Sequence, residues 1–245
     1  MTRRVALVTG GGRGIGRAIA ERLVAEGMDV VIGQLGAHDF GAPAGCELWE
    51  LDVREEVAIQ STIDRIIEQF GHLDAVINNS ALTGLGAGAP LIDHSVDLFE
   101  RIFRVNLLGP FMVTKASAKA MIAAGTPGSI VNIASINAFI AEQNCAGYVS
   151  TKSGLLGLTR ASAVDLAPYG IRVNAVAPGQ IFTDAGLQAK AMREDGPMSP
   201  HHRTGPLGEG GQPEDVAGLV AFLVSNDARW MTGETVVVDG GYLAC

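Results

Sequence analysis

Val5-Ala6-Leu7-Val8-Thr9-Gly10-Gly11-Gly12-Arg13-Gly14-Ile15-Gly16 carries a short apolar run into a glycine-rich turn, and a helical pattern begins at Arg17. A glycine-rich turn from strand to helix lets backbone N–H groups and a helix N-terminus approach a diphosphate. The strict G-x-G-x-x-G pattern is not met. The spacing is T-G-x-x-x-G-x-G, with Gly10, Gly14 and Gly16. Arg3 and Arg4 precede the apolar run in the manner of a signal peptide. That run is too short for one and leads directly into glycines, so it reads as a first strand.

Outward from this unit, apolar β-branched runs alternate with helical patterns. Strands are expected over 5–8, 30–32, 75–77, 130–133, 173–176 and 236–238. They show little in–out alternation, as parallel strands covered on both faces do. Helices are expected over 17–26, 55–70, 96–105 running into 107–124, 148–166 and 215–223. This alternation predicts an α/β fold: a doubly wound parallel sheet in a single Rossmann-type domain over 1–245, with helices on both faces. Two segments break the pattern. Residues 34–46 are rich in glycine and alanine where a crossover helix is expected. Residues 184–212 hold Gly196-Pro197, Ser199-Pro200-His201-His202 and Gly205-Pro206, and a long irregular insertion of this kind reads as a substrate lid.

The composition narrows the function. A formal net charge of −8 argues against general binding to nucleic acid. No apolar run reaches the length of a membrane span. Cys46, Cys145 and Cys245 are odd in number and lack metal-ligand spacing, which fits a reducing, cytoplasmic setting. His201-His202 has no carboxylate or cysteine at ligand spacing, so no metal is expected.

Tyr148-Val149-Ser150-Thr151-Lys152 places a phenol and an ammonium four residues apart, on one face of a helix. A nearby ammonium favours the phenolate and lowers the phenol pKa. A hydroxyl from another element, such as Ser135, can hold a substrate oxygen against that phenol. Such a set moves a proton on and off a carbonyl or alcohol oxygen. Glu142, Gln143 and Asn144, between Ser135 and Tyr148, read equally as pocket lining or solvated loop. Cys145 reads as a packing residue.

With these motifs in place, the chain resembles the short-chain dehydrogenase/reductase family, in its short single-domain branch, from residue 5 to residue 242. Thr9 to Gly16 matches the family's glycine motif. Leu51-Asp52-Val53 matches the segment whose acid contacts the adenine. Asn78-Asn79-Ser80-Ala81 matches the family's N-N-A-G near the adenine ribose and departs from it at Ser80 and Ala81. Asn106 matches the family's helix asparagine. Pro178-Gly179-Gln180-Ile181-Phe182-Thr183 matches the segment that holds the nicotinamide carboxamide.

The resemblance implies a catalytic set of Asn106, Ser135, Tyr148 and Lys152. Tyr148 would be the general acid or base, and Ser135 would polarise the substrate oxygen. Lys152 would lower the Tyr148 pKa and hold the nicotinamide ribose. Asn106 would hold a water linking Lys152 to solvent. Ser135, Asn137, Gln143, Tyr148 and Gln180 are expected around the substrate. The cofactor is NADP or NAD. Gln34 stands where an acid selects NAD in the family, and Arg13 can pair with a 2′-phosphate, so NADP is favoured. Leu35 replaces the base that NADP-preferring relatives often carry next, and Gln34 can itself bond a ribose.

The implied activity is interconversion of a secondary alcohol and a ketone on a small-molecule substrate. It points to a 3-oxoacyl-type reductase or to a polyol, sugar or cyclic-alcohol dehydrogenase. The enoyl-reductase branch, whose tyrosine lies farther before the lysine, fits less well. The alternatives are a non-catalytic dinucleotide-sensing protein on the same fold and a subunit whose main role is assembly. A homotetramer built through helices 107–124 and 148–166 is implied, with no nucleic acid or membrane partner.

Overall fold

The computed structural model describes residues 3–84, 87–183, 205–208 and 210–245. Seven parallel strands form one sheet in the order β3-β2-β1-β4-β5-β6-β7. They are β1 Val5–Thr9, β2 Asp29–Gln34, β3 Cys46–Glu50, β4 Ala75–Asn78, β5 Ser129–Ile133, β6 Arg172–Pro178 and β7 Thr235–Val238. The six expected strands are all present. The seventh, β3, was not expected. Its Cys-Glu-Leu-Trp-Glu run mixes charged and apolar residues because it is an edge strand, pairing only with β2.

The strand order reverses between β1 and β4, which are neighbours with Val8 opposite Ile77. A crevice opens at the carboxyl ends of strands at such a switch point. The β2–β3 connection carries only a short 3-10 turn over Ala37–Asp39. The Glu50 carboxylate holds that loop by accepting the Gly36 and Ala37 N–H groups at 2.9 and 2.8 Å.

Both sheet faces are covered, which is why the strands read as continuous apolar runs. On one face, Ile19 and Leu23 of α1 (Gly14–Ala25) and Val216 and Val220 of α6 (Pro213–Val224) pack on Ala6, Val8, Ile32 and Ile77. On the other, Ile59, Ile63 and Ile66 of α2 (Glu56–Phe70) and Val113 and Met121 of α4 (Gly109–Ala124) pack on Val5, Leu7, Val76 and Ile130. α5 (Ala146–Leu166) sets Leu155 and Leu156 against Ala134, Ala175 and Ala177.

α3 (Val96–Phe103) starts at Ser95, whose hydroxyl accepts the Leu98 N–H at 3.1 Å. A π-helical turn over Arg104–Leu108 links it to α4, and the backbone stays helical through the junction. Of the expected lid over 184–212, only residues 205–208 and 210–212 lie among the described residues. His201 and His202 lie outside them. No helix among the described residues is long and apolar enough to cross a membrane.

Candidate active site

β1 delivers the chain into the glycine turn, and the turn is locked from β4. The buried Thr9 hydroxyl accepts the N–H groups of Asn79 and Ser80 at 3.0 and 3.1 Å. The Asn79 amide donates back to the Thr9 and Gly10 carbonyls at 3.0 and 2.9 Å. Gly10 has φ +67°, and a Cβ there would stand 3.0 Å from Ser80 Cα. A Cβ on Gly16 would stand 2.4 Å from the Gly10 carbonyl oxygen. Glycine at these positions follows from close backbone approach. The departure at Ser80 and Ala81 leaves this lock intact.

α1 begins after Arg13, which offers no side-chain cap, and no acid stands in its first turn. Its leading N–H groups and the positive end of its dipole suit an anion. Ile15 is partly buried against the core behind them. These residues fit the diphosphate of a dinucleotide.

The other expected cofactor residues surround this turn. Gln34 ends β2, and its amide oxygen accepts the Gly12 N–H at 3.1 Å while its NH₂ donates to the Leu35 carbonyl at 3.1 Å. Arg13 is exposed beside it. The Asp52 carboxylate is gripped by the Arg54 guanidinium at 2.9 and 3.0 Å, which holds its pKa below the usual range. Val53 is buried in the core. Beyond β6, Gly179 donates its N–H to the Val238 carbonyl at 2.8 Å. Ile181 is buried, and Gln180 and Phe182 are bonded through their backbones to Gly211 at 2.9 Å. A Cβ on Gly14 would stand 3.2 Å from Thr183 Cγ2. The end of the 178–183 segment therefore comes close to the glycine turn.

The chemical end lies at the carboxyl edge of β5. Ser135 follows that strand, and its hydroxyl accepts the Asn137 N–H at 3.1 Å. Tyr148 and Lys152 lie on one face of α5, one turn apart. Ser135, Thr83, Glu142 and Cys145 all act on the Tyr148 phenol. Buried Asn137 donates to the Glu142 carboxylate at 3.2 Å. Gln143 is exposed at the rim. Asn144 has φ +61° and is the only non-glycine with positive φ among the described residues. Asparagine tolerates that conformation. The Asn144 carbonyl accepts the Ala89 N–H at 2.8 Å, joining the two loops that flank the site.

One expectation is corrected here. Burial pushes the Tyr148 phenol up to about 12, outweighing the Ser135 and Thr83 hydrogen bonds that pull it down; Glu142 and Cys145 also push it up. The Lys152 Nζ lies 5.6 Å from the Tyr148 ring centroid and donates to the Ile133 carbonyl at 2.7 Å. Burial brings Lys152 itself down to about 8. Asn106 is fully buried in the π-helical turn. Its oxygen accepts the Leu82 N–H at 2.7 Å and its NH₂ donates to the Leu82 carbonyl at 3.0 Å.

Sequence reasoning missed a buried polar ladder beneath the site. Asn78 donates to Asn132 at 2.8 Å and to Thr114 at 3.1 Å, and Asn132 donates to Thr159 at 2.8 Å. The ladder ties β4 and β5 to α4 and α5. Among the described residues no cluster could hold a metal ion.

A family model described as "Enoyl-(Acyl carrier protein) reductase" matches residues 10–243. The chain is 35% identical to 2,5-dichloro-2,5-cyclohexadiene-1,4-diol dehydrogenase of Sphingobium indicum, covering 97% of this chain and 96% of that one. It is 35% identical to L-2,3-butanediol dehydrogenase of Corynebacterium glutamicum, covering 98% of each. Among solved structures, the ligand-free aldohexose dehydrogenase of Thermoplasma acidophilum aligns with a TM-score of 0.87 at 35% identity, covering 100% of this chain and 95% of that one. The chain belongs to the short-chain dehydrogenase/reductase family. It is an NAD(P)-dependent oxidoreductase that interconverts a secondary alcohol and a ketone.

Proposed function

We propose that the chain is a dehydrogenase of a small neutral diol, polyol or sugar, with Tyr148 as the proton-transfer group. One observation carries the reading: the Lys152 ammonium donates to the Ile133 carbonyl at 2.7 Å, which sets the α5 face bearing Tyr148 and Lys152 against the carboxyl edge of β5, where Ser135 stands. Relatives named for butanediol, cyclohexadiene-diol and aldohexose support the substrate class. So do the polar groups of Asn137, Glu142 and Thr83 around the phenol. Gln143 at the rim and Gln180 beyond β6 are the outer substrate contacts.

Bound NAD(P) supplies the hydride acceptor for oxidation and the donor for reduction. In oxidation, Ser135 holds the alcohol oxygen and Tyr148 accepts its proton. In reduction, Tyr148 returns that proton to the carbonyl oxygen. Lys152 places a buried positive charge beneath the exchange and faces the cofactor ribose. Asn106 fixes the Leu82 peptide that borders the site. Gly10, Gly14, Ile15 and Gly16 cradle the diphosphate. Asp52, Val53, Asn79, Ser80 and Ala81 border the adenosine. Pro178, Gly179, Ile181 and Thr183 hold the nicotinamide end. NADP is the preferred form, supported by Gln34 in place of an acid and by exposed Arg13.

The protein acts as a cytoplasmic homotetramer on this reading. Exposed Phe103 and Phe111 around the α3–α4 junction and Val164 on α5 support the assembly. A monomer by light scattering would remove it. The experiment for the activity is a turnover panel of vicinal diols, sugars and cyclic alcohols with each cofactor. Turnover of neutral polyhydroxylated substrates is expected. Tight cofactor binding without any turnover would favour a sensor.

A further inference from the structure

We propose that Phe40 and Glu50 are positioning residues for the cofactor: Phe40 seats its ring on Gly12 against the Gln34 amide, and Glu50 holds the loop that carries Phe40, so that Gln34 is fixed to meet the adenosine ribose. This rests on the glycine turn being the dinucleotide site. In a strand–turn–helix unit of this kind, a residue at the end of the second strand reads the ribose. Gln34 ends β2, and a glutamine side chain has several rotamers to lose on binding. Here it is already pinned. Its amide oxygen accepts the Gly12 N–H at 3.1 Å, and its NH₂ donates to the Leu35 carbonyl at 3.1 Å. One N–H and one oxygen lone pair of the amide remain for a ligand.

Phe40 closes this arrangement. A Cβ on Gly12 would stand 2.9 Å from Phe40 Cγ and 3.1 Å from the Gln34 amide oxygen. Ring and amide therefore converge on the bare Cα of Gly12, and the protein's own loop requires glycine there. Phe40 reaches that point because the chain reverses at Gly36, with φ +68°, and winds through the 3-10 turn over Ala37–Asp39. The Phe40 N–H closes the turn on the Ala37 carbonyl at 3.1 Å. Glu50 is the register partner of Gln34 on β3, and its carboxylate anchors the start of the turn through the Gly36 and Ala37 N–H groups. Neighbouring strand ends thus hold both Gln34 and the loop that pins it. A side chain ordered before binding loses less freedom when the ligand arrives.

The test is a double-mutant cycle read by calorimetric titration with NADPH and with NADH. Phe40→Ala and Glu50→Ala should each weaken cofactor binding by about threefold to tenfold, the effect of having to order one rotamer-rich side chain. Phe40→Tyr, which keeps the ring, should bind as wild type does. In a Gln34→Ala background, Phe40→Ala should change affinity by less than about twofold, because the group it positions is gone. Unchanged or tighter binding in Phe40→Ala or Glu50→Ala would overturn the proposal. So would an equal loss in the Gln34→Ala background, or a loss that Phe40→Tyr fails to restore. Wild-type affinity in Gly16→Ala would instead overturn the parent reading, the cofactor on the glycine turn.

Discussion

The Lys152 ammonium donates to the main-chain carbonyl of Ile133 at 2.7 Å, inside a protein interior that leaves the lysine 3% exposed. This bond ties α5 to the end of β5, directly before Ser135. The lysine is a buried charge below the site, and burial holds the proton on the phenol.

The buried lysine has a consequence for stability. Its folded pKa, about 8, lies below its ordinary value. Between that value and about 10.4 the unfolded chain binds more protons. The Lys152 contribution to unfolding free energy should therefore rise with pH across this window. Denaturation of wild type and Lys152→Met at both ends of the window checks it. The wild type should gain stability relative to the variant as pH rises. A constant difference would show that burial does not depress this lysine.

Asn106→Ala should lower stability by about 2 kcal/mol or more, because the Leu82 N–H and C=O both lose a partner. Turnover should fall with it, since Leu82 leads directly into the site. Thermal unfolding and steady-state rates report the two effects. Wild-type stability would mean that the clamp carries little energy.

Gly16→Ala should disrupt cofactor binding. The added Cβ would lie 2.4 Å from a backbone oxygen and from the Asn79 amide, and neither can move without opening the lock between the glycine turn and β4. Overpacking of this kind costs about 1–3 kcal/mol. Calorimetric titration should show cofactor affinity reduced by tenfold or more. Unchanged affinity would place the diphosphate elsewhere.

Arg13→Ala should weaken NADPH binding about tenfold, the size of one charge-assisted hydrogen bond, and leave NADH binding nearly unchanged. Titration with both cofactors measures it. Equal effects would remove Arg13 from phosphate recognition and leave Gln34 to bond the ribose.

Much of this architecture was legible because its determinants are local. The 5–16 stretch carries a strand, a turn and a helix start in consecutive residues, and the apolar runs of β4, β5 and β6 report burial on both faces. β3 escaped because edge position gives Glu47 and Glu50 access to solvent, which erases the apolar signature. The helices over 96–105 and 107–124 were read as running into one another, and the structure shows a π-helical turn between them that keeps the rod continuous. The Tyr148–Lys152 spacing was legible, but the direction of the phenol's shift was not. Helical spacing reports proximity, whereas burial depends on residues that other elements bring to the phenol. The Asn106–Leu82 clamp carries no sequence signal, because its partners stand 24 residues apart.

The most direct test of the account is Tyr148→Phe, assayed for turnover and for cofactor binding on the same preparation. The variant keeps the ring and loses only the hydroxyl that exchanges the proton. Cofactor affinity should stay close to wild type while turnover falls by about 10²–10⁴-fold, the usual worth of a positioned acid or base. Turnover near the wild-type rate would contradict the account at its centre.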